Sequence, residues 1–119
     1  MKITGAATVL PVRDLEASLR FFIDHLGFAE EFRFGNYAGV QCERLMLHLS
    51  QQGNPNTAEP GTGCVYVFCD EVDQWYAQLN AAGVRTDGPP ETYPYGMRDF
   101  LVFDPDGNQI SFGCPVKED

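Results

Sequence analysis

Apolar residues fall at positions 15, 19, 22, 23 and 26, and again at 72, 75, 76, 79 and 82, the spacing that lays one stripe along a helix. Each set follows an Asp, Asp14 or Asp70, whose carboxylate can accept from the free N–H groups of a first helical turn. Each ends at a Gly, Gly27 or Gly83, the residue that tolerates left-handed backbone past a helix terminus. The stretches Val9 to Phe28 and Val65 to Val84 therefore read as one unit written twice: a short strand, an Asp-capped helix and a Gly. The offset is 56 residues, matching Leu19 with Trp75 and Ile23 with Leu79. It predicts helices over about 15–26 and 71–82.

Around the helices the pattern changes to short alternating runs. Residues 3–10 read as a strand, and FAEEFRF, NYAGVQCE and RLMLHLSQ as three more, with Gly35-Asn36 and Glu43-Arg44 as turns. Gln51 to Gly63 holds two Pro, three Gly and no large apolar residue, which marks a linker. After it come strands at 64–69, near 84–87, and on both sides of the turn Asp104-Pro105-Asp106-Gly107. The segment Gly88 to Gly96 reads as a stiff loop carrying Tyr93 and Tyr95. The expectation is one α+β domain over residues 1–119 made of two tandem βαβββ modules, about 1–52 and 64–119, joined by a linker of about 53–63. A duplicated unit of this kind forms a curved mixed sheet whose open face is a ligand cleft.

Alternation then sorts the strand side chains. Leu45, Leu47 and Leu49 belong under a helix, which turns Met46, His48 and Ser50 to the cleft. Val65, Val67 and Cys69 pack inward, and Cys64, Tyr66 and Phe68 face the cleft. Ile110 and Phe112 are core, leaving Gln109, Ser111 and Gly113 outside. Trp75 lies on the buried stripe of the second helix, and His25 on the solvent side of the first.

Composition narrows the classes. A net charge of −9 with only eight Lys and Arg argues against nucleic acid and favours a cationic ligand. No run of about 18 apolar residues exists, and no basic segment leads into a hydrophobic one at the N-terminus, so the expected place is the cytoplasm, without a membrane partner. Cys42, Cys64, Cys69 and Cys114 show no CxxC spacing and read as buried free thiols.

The paired βαβββ order, the run RDLEASLRFFIDHLGF and the DPDGN turn resemble the vicinal oxygen chelate superfamily, which includes glyoxalase I, extradiol dioxygenases, fosfomycin-modifying transferases and bleomycin resistance proteins. The segments FAEEFRFGNYAGV, RLMLHLS and YPYGMRDFLVFDPDGNQISF are most similar to the bleomycin resistance proteins. That resemblance implies a homodimer that sequesters a cationic, aromatic antibiotic without chemistry upon it. The enzymes of the superfamily carry metal ligands at positions corresponding to Ala7, His48, Cys64 and Ser111. Ala7 cannot ligate and Ser111 is a poor ligand, so the resemblance implies no metal, no cofactor and no catalytic residue. The implied ligand-binding set is Phe32, Tyr37, Met46, His48, Ser50, Cys64, Tyr66, Phe68, Tyr93, Tyr95 and Ser111. Tyr95 and Tyr66 stand where the relatives carry Trp, and Thr8 stands in place of a first-strand Pro that assists exchange of their N-terminal arms. The alternative is an enzyme of the same superfamily, with an altered metal set or with His48 as acid or base.

Overall fold

A computed structural model describes residues 1–116; positions 117–119, assigned above to the second module, lie outside the described residues. The chain order is β1 (Thr8–Val12), α1 (Leu15–Asp24), β2 (Ala29–Phe34), β3 (Tyr37–Cys42), β4 (Leu45–Gln51), β5 (Cys64–Phe68), α2 (Val72–Ala81), β6 (Glu91–Thr92), β7 (Met97–Phe103) and β8 (Gln109–Pro115). Two four-stranded mixed sheets result, ordered β1-β4-β3-β2 and β5-β8-β7-β6. In each, the first strand runs parallel to the last and the remaining neighbours are antiparallel. These are the two tandem βαβββ modules. Among the described residues, no helix is long and apolar enough to cross a membrane.

The core lies between each sheet and its helix. Leu15, Leu19 and Phe22 of α1 meet Leu10, Val12, Ala38, Val40, Leu47 and Leu49. In the second module Val72 and Leu79 of α2 pack with Phe100, Val102, Ile110 and Phe112, and Trp75 sets its ring edge-on to Phe112 at 5.8 Å. Full burial of such side chains contributes roughly 1.5–3 kcal/mol each. An acid in each first turn ties the helix to its sheet: Glu16 pairs with Arg33 of β2, and Asp73 with Arg98 of β7 at 2.7 Å. Both pairs are exposed and worth at most about 1 kcal/mol.

The modules join at the turn after β7. Asn108, fully buried, donates from Nδ2 to the Pro11 carbonyl and to Asp104 Oδ2, both at 2.8 Å, and its Oδ1 accepts from Gly63 N at 2.8 Å. One side chain thus holds β1, the linker and the β7–β8 turn together.

Several expectations require correction. Residues 3–7 are not strand: the pairing of β1 with β4 starts at Thr8, opposite Leu47, and β1 continues through Pro11 to Val12. Pro11 is tolerated because β1 is an edge strand. Asp14 caps α1, accepting from Ala17 N at 3.2 Å, whereas Asp70 does not cap α2. The N-cap there is Glu71, in left-handed backbone and without a capping bond. The helix bodies correspond at an offset of 57, Leu15 with Val72, while the strands before them correspond at 56. The extra residue is absorbed in the strand–helix junction by the left-handed turn of Glu71 (φ 47°). Ile23 and Ala82 accordingly lie outside the buried stripe. The strand expected near 84–87 is a single bridge from Thr86 to Val102, and β6 lies within the segment read as a loop, past Pro89-Pro90, where N–H donors become available again. The four thiols are free, as expected, but none is fully buried and Cys64 is exposed.

Candidate ligand-binding face

The faces turned away from the helices carry the predicted residues in two clusters. On the first module, His48 lies across from Gly39 of β3 and Val9 of β1. Its Nδ1 shares a 2.8 Å hydrogen bond with the Tyr37 hydroxyl, and its ring sits edge-on to Phe32 and Tyr37 at 5.2 and 5.3 Å. Phe32 reaches this face through a bulge. The β2–β3 register shifts between Glu30 and Phe32, which turns the ring away from the core that simple alternation with Phe28 would give it. Gly39 makes room, since a Cβ there would overlap the Phe32 ring. Met46 is half-buried in the same face. Ser50 is not available there: it is 3% exposed, and its hydroxyl is engaged by Thr57 at 2.7 Å and Asn54 at 3.3 Å of the linker. The linker folds over the end of β4 and removes Ser50 from the expected set.

On the second module, Tyr66 and Tyr95 both donate their hydroxyls to Asp99 Oδ2, at 2.8 and 2.7 Å. Tyr93 stacks on Tyr95 with ring centroids 5.3 Å apart and planes 6° from parallel, and donates to Glu91 Oε2 at 3.1 Å. Phe68 lies 5.4 Å from Tyr66 and is three-quarters exposed. Gly113 lets the Tyr66 ring rest on the backbone of β8, because a Cβ would meet the Tyr66 hydroxyl. The phenols titrate late: the bond to Asp99 pushes Tyr95 from 10 up to about 12, and partial burial, then Asp99, raises Tyr66. Bond and charge both favour the protonated phenol beside a carboxylate. Ser111 is half-buried between these strands, and Cys64 stands exposed at the start of β5.

The two clusters belong to different sheets, and among the described residues no hydrogen bond or ring contact joins them. A cavity of about 900 Å³ is not centred on either. It opens beside β5, between the β3–β4 turn and the start of α2, with Leu26, Leu45, Trp75 and Phe112 in its wall, and it shares only Tyr66 and Phe68 with the aromatic face.

Asp99 and Glu91 were missed by the sequence reading. Alternation from the core residues Phe100 and Val102 places Asp99 on the open face, so the signal was present; its pairing with Glu91 needed the position of β6.

A family metal centre does not fit these residues. Ala7 precedes β1 and has no donor atom, and Ser111 offers only a neutral hydroxyl, which leaves two donors, His48 and Cys64, whereas a catalytic site needs about three protein ligands with an open position. Among the described residues, no three His, Cys, Asp or Glu cluster to hold an ion.

Comparison with known proteins follows the same lines. A bleomycin resistance protein of Geobacillus stearothermophilus is 27% identical, over 91% of this chain and 94% of its own. The bleomycin-binding protein of Streptomyces verticillus, solved with copper(II)-bleomycin, is 29% identical with a TM-score of 0.74 and 99% of each chain covered. A lactoylglutathione lyase of Agrobacterium tumefaciens shares the fold, at 24% identity, a TM-score of 0.78 and 96% of each chain covered. The sequence profile of the Glyoxalase/Bleomycin resistance protein/Dioxygenase superfamily matches residues 6–112, and the chain belongs to that superfamily.

Proposed function

We propose that the protein binds and sequesters a cationic aromatic small molecule of the bleomycin type, without chemistry on it, and that two copies close the binding cleft. The observation that carries this reading is the pair Tyr66 and Tyr95, fixed at their hydroxyls by Asp99 while the residues stay 41% and 64% exposed. Rings held by one end and open on a face are suited to stacking on a planar ligand. The poor donor set at Ala7 and Ser111 supports binding over metal chemistry. The separation of the two aromatic clusters supports a dimer, in which the first module of one copy covers the second of another. The net charge of −9 would draw in a cationic ligand.

A second reading, an enzyme without a metal, is favoured by one feature: the Tyr37–His48 hydrogen bond, which orients the imidazole and leaves Nε2 for proton transfer. Calorimetric titration with metal-free and copper-loaded bleomycin separates the two. Binding near one ligand per subunit, weakened by salt and with bleomycin recovered intact, is the expected result. Tyr66→Ala and Tyr95→Ala each reduce affinity about tenfold, in line with the 1–3 kcal/mol of an aromatic stack, while the thermal midpoint stays close to wild type. No heat with either form, or unchanged affinity in both variants, refutes the proposal.

A further inference from the structure

Within that binding reading, on which the inference rests, one part of the face has an unexplained charge arrangement. Glu91 of β6 and Asp99 of β7 are direct partners in an antiparallel pair, so their side chains leave the sheet on the same side, a few ångströms apart. Like charges so placed are destabilising. Neither has a cation within ion-pair distance among the described residues: Arg98, next in the chain, gives its guanidinium to Asp73 and Thr92 toward the helix. Three tyrosines instead cap the pair, Tyr66 and Tyr95 on Asp99 Oδ2 and Tyr93 on Glu91 Oε2. Phenol bonds fix the carboxylates without neutralising them. Asp99 Oδ1 has no protein partner among the described residues.

We infer that Glu91, Asp99 and the three tyrosines form a subsite for a bulky, weakly hydrated onium group, such as a quaternary ammonium, carried by the aromatic ligand. Two fixed negative charges supply Coulomb attraction, and ring faces supply the cation–π surface that methylated cations select. A small hydrated ion would have to shed water for phenols already turned toward the carboxylates, whereas an onium group loses little. The subsite thereby selects the charged end of a ligand, and the first module contributes aromatic contact only.

The test uses a charge-isosteric pair, (2-naphthylmethyl)trimethylammonium and uncharged 2-neopentylnaphthalene, which differ by nitrogen for carbon. Binding is read by calorimetry or fluorescence on the full-length protein. The expected result is at least a tenfold preference for the cation, falling as salt rises. Asp99→Asn and Glu91→Gln, which keep shape, should each remove several-fold of that preference for the cation over the neutral probe. Equal affinity of the two probes would overturn the onium subsite and leave the aromatic binding face standing. No binding of either probe would count against the binding face itself, and the onium subsite would fall with it. A preference that survives both carboxylate variants would assign selectivity elsewhere and also refute the inference.

Discussion

Replacing Asn108 by Ala tests whether one amide holds the two modules in place. The wild-type side chain makes three hydrogen bonds of 2.8 Å in a site with no solvent exposure. Its loss leaves Gly63 N, which is half-buried, without its partner at a cost of about 1–2 kcal/mol, and removes two further bonds worth about 1 kcal/mol each. The Pro11 carbonyl retains Gly61 N at 3.3 Å, which limits the damage there. The expected loss is about 3–4 kcal/mol, read from urea unfolding, or a midpoint lower by roughly 12–16 °C at about 4 °C per kcal/mol. Asn108→Asp is the sharper control. It keeps an acceptor for Gly63 N but turns a second oxygen on the Pro11 carbonyl and the Asp104 carboxylate, so at neutral pH it should be no more stable than Asn108→Ala. Burial pushes the Asp104 carboxyl above its ordinary value, and the bonds from Asn108 pull it back. Without the side-chain bond the folded-state value rises further, while the backbone N–H of residue 108 still donates to Asp104. A raised folded value contributes stability in acid that is lost as pH rises through it, so the deficit of Asn108→Ala should narrow as pH falls through the carboxylate range. A loss below about 1 kcal/mol, or an Asp variant more stable than Ala at neutral pH, would refute the staple.

Spectrophotometric titration of the phenolates checks the Asp99 network. Tyr95 should ionise near 12 against an ordinary 10, with Tyr66 also raised, and Asp99→Asn should lower both, Tyr66 keeping the part of its rise that comes from burial. The stability tied to these raised values is complete below the unfolded-state value and lost as pH rises through the folded ones, so the wild type should lose its advantage over Asp99→Asn at high pH. Titration curves that coincide in the two proteins would remove the carboxylate as the cause. At the α2 junction, Glu71→Gly should stabilise the fold by about 0.5–1 kcal/mol, because left-handed backbone costs a non-Gly residue about 1–2 kcal/mol and added chain flexibility returns roughly half of that. A destabilised Glu71→Gly in urea unfolding would show that the Glu71 side chain does more than occupy the turn.

The parts legible in the sequence are those where one period governs a whole element. The stripe of α1, the turns at Gly35 and Glu43 and the alternation of β4 follow from local pattern, and so does the side of the sheet taken by His48, Tyr66 and Phe68. What escaped the pattern are single-residue insertions. One residue before α2 moves the helix from an offset of 56 to 57 and leaves Asp70 without a capping role. One residue in β2 turns Phe32 over to the open face, against its alternation with Phe28. Neither leaves a compositional trace, since Glu31 and Glu71 look like any exposed acid. Ser50 escaped for a different reason: its strand position was right, but a linker that reads as featureless folds back to cover it.

These insertions make the two halves unequal in chemistry as well as in register. In the first module the bulge gathers Phe32, Tyr37 and His48 into a cluster with no carboxylate in its hydrogen bonds. In the second, a two-residue β6 sets Glu91 opposite Asp99 and gives the tyrosines anionic partners. A duplicated unit with identical faces would offer a symmetric ligand two equivalent ends. Here the halves offer an aromatic end and an anionic end, so a ligand lying between them would be held in one direction, its planar part on the first and its cation on the second. The orientation follows from where two acids fall in the strand register, and it would be lost if Asp99 and Glu91 were made neutral while every ring stayed in place.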